Sequence, residues 1–246
     1  MSPALSLEVC VDTPEGLLAA VRGGADRIEL CAALSEGGLT PSIGLMRLAA
    51  ETACPTRAMI RPRTGGFVYS AAETDVMRRD IDAAREAGLS GVVFGASLAD
   101  GRLDTELLHR LCDHATGLEQ ALHRAVDLTP DPYEAVDHTV ALGFATILSS
   151  GGARRAEDGL DRLSLMTGHA AGRIEIMPGG GVTADNALKI ATQTGALWLH
   201  ASCGQPMTAP TDAESRLGLL PPGARDTDEA TVRRLSRLLR GGSAQS

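Results

Sequence analysis

The chain has 246 residues, of which 43% are hydrophobic, and its formal net charge is −8 at pH 7. This length can bury the core of one large α/β domain or of two small ones. The acidic charge argues against non-specific DNA binding, and one Trp, two Tyr and three Phe are too few for a surface that stacks single-stranded nucleic acid. The single lysine, Lys189, falls inside a predicted helix, which argues against an aldolase of the Schiff-base type.

Apolar segments and cysteines indicate the cellular compartment. No apolar run approaches the roughly 18 residues of a membrane-spanning helix, and the amino terminus lacks the charged and apolar parts of a secretory leader. Five cysteines, an odd number, favour free thiols over a disulfide framework. We therefore expect a cytoplasmic protein with neither a membrane nor a nucleic-acid partner.

The beginning of the chain predicts a compact βαβ unit. LEVCVD (7–12) is typical of a strand, Pro14–Arg22 of a helix with proline at its first position, and RIELC (27–31) of a second strand. A parallel crossover brings the carboxyl ends of both strands to the same edge of a sheet. Each strand carries the pattern Glu-x-Cys there, which unites two carboxylates with two thiols: Glu8, Cys10, Glu29 and Cys31.

The same alternation of strand and helix continues along the chain. Eight segments contain a predicted strand, and they lie at residues 7–12, 23–31, 55–63, 87–95, 119–127, 142–150, 172–180 and 194–202. Four of these segments follow a helix that ends at or near glycine. The predicted helices between them are Pro14–Arg22, Ser42–Thr52, Ala72–Ala87, Thr105–Ala115, Pro132–Leu142, Gly159–Ala170 and Ala184–Thr194. Eight such repeats predict a single (β/α)8 TIM-type barrel. A doubly wound open sheet is the alternative, but its glycine-rich nucleotide motif is absent.

We assign the barrel to residues 1–203 and a C-terminal extension to residues 204–246. The extension contains many prolines and glycines as far as Gly223, and a helix is predicted from about Asp228 to Arg240. We expect this helix to pack on the barrel.

In this fold the carboxyl ends of the strands form the functional face. Charged and imidazole side chains converge there and suit acid–base chemistry on an anionic substrate: Glu8, Glu29, Arg61, His123, Arg124, Asp127 and His200. Arg61 and Arg124 are candidates for binding an anionic group through their guanidinium groups. The alternative is structural, in which Arg61 or Arg63 pairs with Glu8 or Glu29.

A glycine-rich turn follows the seventh strand. Gly179, Gly180 and Gly181 precede the predicted helix Ala184–Thr194, where backbone amides of many such barrels hold a phosphate. Turns before helices also need glycine for structural reasons, so both interpretations stay open.

Soft donor atoms stand at or near the strand ends. Cys10, Cys31, Met59 and Met177 offer thiolate and thioether sulfur, which Cu(I) prefers. Neighbouring strands lie about 4.8 Å apart, so Cys10 and Cys31 can form a two-thiolate site if the stagger of the barrel permits. Alternatively, these sulfur side chains fill gaps in the core.

The motifs in their order and spacing resemble the CutC copper-homeostasis family. The segments that carry the resemblance are LEVCVD, GGADRIELC, LSEGGLTPSIG, MIRPR with GGFVYS, HRAVD, ILSSGG and MPGGGV, over about Leu7 to Ser202. The resemblance implies a cytoplasmic (β/α)8 barrel, often a homodimer, that handles copper. It also implies Cu(I) ligation by Cys10 and Cys31.

Three positions depart from the family pattern. Gly66 stands where an aspartate is expected, a basic run expected after strand eight is absent beyond Met207, and Cys203 adds a thiol. Two hypotheses follow. The first is a copper-homeostasis protein that binds Cu(I) through Cys10 and Cys31. The second is a TIM-barrel lyase, isomerase or hydrolase that acts on a small anionic metabolite, including phosphorylated ones.

Overall fold

Eight parallel strands form the barrel that the sequence predicts. The computed structural model of the protein describes residues 5–206, 216–217 and 225–241. The strands are β1 (Ser6–Val11), β2 (Arg27–Leu30), β3 (Thr56–Met59), β4 (Gly91–Phe94), β5 (Glu119–Leu122), β6 (Thr146–Ser149), β7 (Glu175–Pro178) and β8 (Trp198–Ala201). Each strand pairs with its neighbour in the chain, and β1 also pairs with β8. A parallel bridge between Gly179 and His200 joins β7 to β8 and closes the ring.

Helices connect the strands and cover the outside of the barrel. They are α1 (Pro14–Gly23), α2 (Ile43–Ala50), α3 (Ala71–Glu86), α4 (Thr105–His114), α5 (Pro132–Ala141), α6 (Leu160–Ala170), α7 (Ala187–Thr194) and α8 (Glu229–Leu239). Their ends lie within three residues of the predicted ones. The sequence did not indicate the short 3₁₀ segments Leu34–Glu36, Arg124–Leu128 and Ala156–Asp158, which lie in βα loops.

Local capping explains where the first helix starts and stops. The side chain of Thr13 accepts a hydrogen bond from the amide of Gly16, and Pro14 occupies the first helical turn. Gly24 then ends α1 in the left-handed conformation, with φ of +89°. These signals are all local, which is why the sequence predicts α1 so closely.

Alternation along β1 separates two environments. Leu7, Val9 and Val11 are fully buried among the helices that surround the sheet, and they belong to the main apolar core. Glu8 and Cys10 point the other way, into the barrel, because successive side chains of a strand face opposite sides. The apolar core therefore lies outside the sheet, and the barrel interior is free to hold polar groups.

An ionic network fills the amino-terminal half of that interior. Arg27 Nε donates to Glu8 Oε2 at 2.5 Å, and Nη2 of Arg57 donates to Glu119 Oε1 at 2.6 Å. Nη1 of Arg57 lies 3.6 Å from Glu8 Oε2, and Nη2 of Arg27 lies 3.3 Å from Glu175 Oε1. Arg57 is completely buried, so these carboxylates are what makes burial of its charge tolerable.

The network corrects the structural alternative drawn for Arg61 and Arg63. Neither pairs with Glu8 or Glu29; the arginines that neutralise Glu8 are Arg27 and Arg57. Arg57 lies two inward-facing positions before Arg61 on the same strand segment, with Met59 between them. Sequence patterns do not show this difference in depth along the barrel.

The extension returns to the start of the chain. β9 (Gly204–Pro206) pairs antiparallel with β10 (Arg225–Thr227), and α8 packs against α1. A Cβ atom on Gly23 would lie 2.5 Å from Cβ of Val232, so glycine permits this close approach of the two helices. No described helix is long and apolar enough to cross a membrane.

Candidate functional site

A cavity of about 290 Å³ opens at the carboxyl ends of the strands. Six of the polar residues that the sequence selects line it: Cys10, Glu29, Arg61, His123, Arg124 and His200. Gly180 and Gly181 of the glycine turn form another part of its wall. Glu8 does not line the cavity; it belongs to the ionic network and contacts His200 of the cavity lining.

A thiol, an imidazole and a carboxylate meet at the floor of the cavity. Strand register places Glu8 opposite His200 and Cys10 opposite Glu29. One ligand atom from each of Cys10, Glu29 and His200 lies within 4.8 Å of the other two. Among the described residues this is the single group of three or more such donors that could hold a metal ion.

Glu8 orients the imidazole of this group. His200 Nδ1 lies 2.9 Å from Glu8 Oε1, which leaves Nε2 to face Glu29 Oε2 at 3.6 Å. Burial would raise the pKa of Glu8, but the hydrogen bond with His200 and the charge of Arg27 lower it to about 2. Glu8 is therefore an anion that fixes the ring of His200.

The neighbouring groups respond to burial in different ways. Burial disfavours the charged form of His200, yet the charges and hydrogen bonds of Cys10, Glu29 and Glu8 raise its pKa well above the ordinary value. Burial raises the pKa of Glu29, and the charge of His200 offsets this only in part. The floor thus combines a fixed anion, a cationic ring and a carboxyl group that resists ionisation.

Cys31 takes a different position from Cys10. Its Sγ lies 3.7 Å from Glu29 Oε2, and its side chain is fully buried in a small cluster with Met59, Val93 and Ala121. Burial and the nearby Glu29 raise the pKa of its thiol well above the ordinary value. The register places Cys10 opposite Glu29 and not opposite Cys31, and Glu29 lies near both thiols.

The two methionines also differ. Met59 lines the cavity. The sulfur of Met177 instead accepts a hydrogen bond from Nη2 of Arg27 at 3.5 Å, in the layer of the ionic network. Of the two thioethers, only that of Met59 is therefore at the level of the thiols.

His123 is a neutral imidazole in the cavity wall. Its Nδ1 accepts a hydrogen bond from the amide of Ala125 at 3.1 Å, and Phe67 packs on the ring with centroids 4.5 Å apart. Burial and the charge of Arg61 lower its pKa to about 3. Because Nδ1 is an acceptor, the proton of the neutral ring is on Nε2.

Arg61 ties the two long loops of the cavity rim together. Its Nη1 donates to the carbonyls of Glu36 and Gly38 at 2.9 and 3.0 Å, and its Nη2 donates to Gly65 O at 2.8 Å. These bonds use three of its N–H groups on the protein itself. Arg61 thus holds the loops after β2 and β3 in place while its side chain faces the cavity.

Asp127 lies behind the wall and not in the cavity lining. It accepts hydrogen bonds from the hydroxyl of Ser149 at 2.6 Å, from the amide of Gly152 at 3.0 Å and from Nε of Arg124 at 2.8 Å. Burial would raise the pKa of Asp127, but these donors lower it. Its role in the structure is to hold the loop after β6 and to fix Arg124.

The glycine turn does not lead directly into a helix as the sequence suggested. α7 begins at Ala187, and the side chain of Asn186 first accepts a hydrogen bond from the amide of Thr183 at 2.8 Å. The turn between Asn186 and the glycines moves the helix start away from the cavity. Gly180 and Gly181 line the cavity, and no residue of α7 does.

Sequence reasoning missed the two arginines that set the charge beneath the site. Arg27 and Arg57 occupy alternate positions with Glu29 and Met59 on strands that are otherwise buried. A charged residue at an inward position of a buried strand was the available signal. Phe67, which packs on His123, could not be predicted as a site residue, because local sequence patterns do not show contacts between separate loops.

Comparison with known proteins identifies relatives along nearly the whole chain. A sequence model of the CutC family matches residues 5–205. A CutC family protein of Rhizobium meliloti (strain 1021) is 51% identical over 242 residues, which cover 98% of this chain and 99% of the relative. One from Agrobacterium fabrum (strain C58 / ATCC 33970) is 52% identical over 234 residues and covers 95% of this chain and 93% of the relative.

A solved structure agrees with these sequence relatives. The crystal structure of the candidate copper homeostasis protein CutC from Streptococcus agalactiae superimposes with a TM-score of 0.77 and 34% identity, over 80% of this chain and 98% of that one. The family resemblance seen in the motifs is thereby confirmed, and this chain belongs to the CutC family.

Proposed function

We propose that this protein serves copper homeostasis by binding Cu(I) at the floor of the cavity. The proposal is carried by one observation, the convergence of Cys10, His200 and Glu29 donor atoms within 4.8 Å. Thiolate and imidazole are soft enough for Cu(I). Cys10 and His200 are the proposed primary donors, and the cavity gives the ion a path of entry.

The surroundings of His200 support a role as ligand. Histidines that bind metals usually donate their second ring nitrogen to a carboxylate, which fixes the tautomer and the direction of the free nitrogen. Glu8 offers that carboxylate at 2.9 Å from Nδ1. Binding of Cu(I) at Nε2 would displace a proton from the cationic ring, so copper affinity should rise with pH.

Cys31 remains a proposed ligand. Its Sγ is 3.7 Å from Glu29 Oε2, and Glu29 belongs to the same group of donors as Cys10. Met59 lines the cavity and offers a thioether at this level. A third sulfur donor would suit Cu(I) better than the carboxylate of Glu29.

An anaerobic competition titration with a calibrated Cu(I) chelator tests the proposal. Wild type is expected to bind one Cu(I), and Cys10→Ser is expected to weaken binding by roughly 100-fold or more, because loss of a ligand should exceed the about 10–100-fold effect of losing an outer partner. Cys54→Ser is the matched control, since Cys54 Sγ contacts Ala25 O far from the cavity. Equal binding by wild type and the Cys10→Ser, Cys31→Ser double variant would refute the proposal.

Spectroscopy identifies the donors. X-ray absorption of the Cu(I) complex should show sulfur and nitrogen scatterers, with the nitrogen lost in His200→Phe. Cys31→Ser tests the second thiol: a reduced sulfur count would assign Cys31, and an unchanged count would leave Cys10 and His200 as the ligands.

Location and assembly complete the proposal. Free thiols at Cys10, Cys31, Cys54, Cys112 and Cys203 are consistent with the reducing cytoplasm. We further propose a homodimer, as the family resemblance implies. Light scattering on the purified protein would distinguish dimer from monomer.

An enzymatic function is the second candidate, and a specific observation favours it. Glu29 Oε1 and His123 Nε2 are buried and have no hydrogen-bond partner in the described structure, while both side chains face the cavity. A carboxyl group and a neutral imidazole of this kind suit acid–base chemistry on a small anionic metabolite. Turnover in a metabolite screen that is lost in Glu29→Gln would support it, whereas no ligand and no turnover would count against it.

A further inference from the structure

One wall of the cavity presents N–H groups that the protein does not use. The side chain of His123 is 2% exposed, and its Nε2 has no hydrogen-bond partner among the described residues. Since Nδ1 accepts from Ala125 at 3.1 Å, Nε2 carries a hydrogen. A buried donor without an acceptor destabilises the fold, and a ligand with an acceptor atom would satisfy it.

Arg124 reaches the same wall with part of its guanidinium unused. Nε donates to Asp127 at 2.8 Å, and Nη2 donates to Ser150 Oγ at 2.6 Å and to Ala153 O at 3.0 Å. These contacts hold the group rigidly and leave Nη1. A Cβ atom on Gly180 would lie 3.6 Å from Nη1, so the guanidinium stands directly over the glycine turn.

The turn itself adds two exposed amides. Gly180 and Gly181 have φ of +99° and +72°, a conformation that side chains rarely adopt. Within the described parts of the chain neither amide donates to an acceptor. Successive backbone amides in a turn can form a concave site for an anion. Gly181 also packs beside Arg155, whose Nε would lie 2.9 Å from an added Cβ.

We propose that His123 Nε2–H, Arg124 Nη1 and the amides of Gly180 and Gly181 form a binding site for the oxyanion of a small metabolite. The donors suit the group shared by carboxylates and phosphate monoesters. None of them is a proposed copper ligand, so the inference is independent of copper binding. The inference extends the enzymatic candidate, because it says where the anionic end of a substrate would bind. It rests on that candidate only in taking the bound anion to be a substrate.

The orientation of a ligand follows from the two sides of the cavity. Its oxyanion would lie against the ends of β5 and β7, and the rest of the molecule would extend toward Cys10, Glu29 and His200 at the floor. A cavity of about 290 Å³ is at the lower end of the volumes of pockets that bind small molecules, which suits a small metabolite.

Calorimetric titration of the metal-free protein with inorganic phosphate, and separately with acetate, tests the site. We compare wild type with His123→Phe, which keeps the stacking against Phe67 but removes the donor, and with Arg124→Lys, which keeps the charge beside Asp127 but loses the fixed guanidinium. The matched controls are His109→Phe and Arg102→Lys, because both residues are exposed and form ion pairs on the surface.

Wild type and both controls are expected to bind one of the two probes, and each site variant is expected to weaken that binding by at least about tenfold. Tighter binding of phosphate would assign a phosphorylated metabolite, and tighter binding of acetate a carboxylate. His123→Gln, whose side-chain amide can supply an N–H near the same place, should restore most of the affinity. This rescue separates loss of a donor from damage to the fold.

Absence of binding of both probes to wild type would overturn the inference, as would equal binding by wild type and the site variants. Cys54→Ser, at a thiol that contacts Ala25 O and does not line the cavity, should leave phosphate or acetate binding unchanged. The anion titration depends on His123 and Arg124, whereas the copper titration depends on Cys10 and His200, so either can fail without the other.

Discussion

The two halves of the barrel interior are both polar, but they differ in how completely their polar groups are paired. In the amino-terminal half, Arg27 and Arg57 form ion pairs with Glu8, Glu119 and Glu175 at 2.5–3.6 Å. Among the described buried atoms of these five side chains, only Nη1 of Arg57 lacks a hydrogen bond, and it lies 3.6 Å from Glu8 Oε2. In the carboxyl-terminal half, Glu29 Oε1 and His123 Nε2 lack partners within the described residues. The ion pairs of the amino-terminal half support the fold, whereas the unpaired polar groups of the carboxyl-terminal half are available to bind a ligand.

The largest effect is expected from breaking the paired half with Arg57→Met. This change removes the buried cation that pairs with Glu119 and one of the two that neutralise Glu8. Removal of one member of a buried ion pair typically costs about 3–5 kcal/mol. Urea unfolding at pH 7 would measure the lost free energy of unfolding. A loss below about 1 kcal/mol would show that the network does not support the fold.

The pH dependence of folding stability tests the unpaired half of the interior through His123. The pKa of His123 is lowered from 6.5 to about 3 in the folded protein by burial and by Arg61, so between these values the unfolded chain binds the extra proton. Folding stability should then fall by up to about 1.4 kcal/mol for each pH unit below 6.5. His123→Phe should remove this part of the acid sensitivity.

The measurement is the free energy of unfolding in urea at pH 7, 6, 5 and 4.5. The difference between wild type and His123→Phe should shrink or change sign as the pH falls, and His109→Phe, at an exposed position, should leave the wild-type slope unchanged. Parallel curves for wild type and His123→Phe would contradict a buried neutral imidazole.

Glu29→Gln is expected to act in the opposite direction from Arg57→Met. Burial raises the pKa of Glu29, so this carboxyl group ionises only at a cost to the fold. The amide should stabilise the protein by about 1 kcal/mol, as is common where a ligand site is given up. Thermal unfolding with the metal-free protein measures this, and a marked loss of stability would place Glu29 with the structural network instead.

The smallest effect is expected at the surface, where solvent screens charge. Arg22 and Glu229 pair at 2.7 Å between α1 and α8, but 57% of the Arg22 side chain is exposed. Arg22→Gln should change the free energy of unfolding by less than about 1 kcal/mol. An equal loss in free energy of unfolding for Arg22→Gln and Arg57→Met would show that burial does not explain the contribution of the inner network.

Local patterns were sufficient to predict the barrel. Thr13, Pro14 and Gly24 bound α1 by contacts within a few residues, and comparable signals recur for the other helices. A repeat of strand and helix then leaves few arrangements other than a closed ring. The sequence did not predict the short 3₁₀ segments such as Arg124–Leu128, the strand pair β9 and β10, or the start of α7 three residues after the predicted one.

The site was only partly predictable, because residues meet there through register and depth. The sequence placed Glu8, Glu29 and His200 at one end of the barrel, but it could not tell that Cys10 would face Glu29 and that Cys31 would pack beside Met59. A shift of one residue between strands exchanges the faces of the whole strand. Pairing by Arg57, 49 positions beyond Glu8 in the chain, likewise depends on closure of the ring.

The closure of the ring by β1 and β8 affects how the protein can fold during its synthesis. The bond between Glu8 and His200 joins residues 192 positions apart, and that between Ser236 and Gly24 spans 212. During synthesis the first strand must therefore leave the ribosome with one edge unpaired and stay so until the chain is almost finished. Such distant pairings form late and slowly. Cys10 and His200 at the cavity floor would come together only in this last step. A nascent chain that ends before β8 therefore contains Cys10 but does not yet form the site.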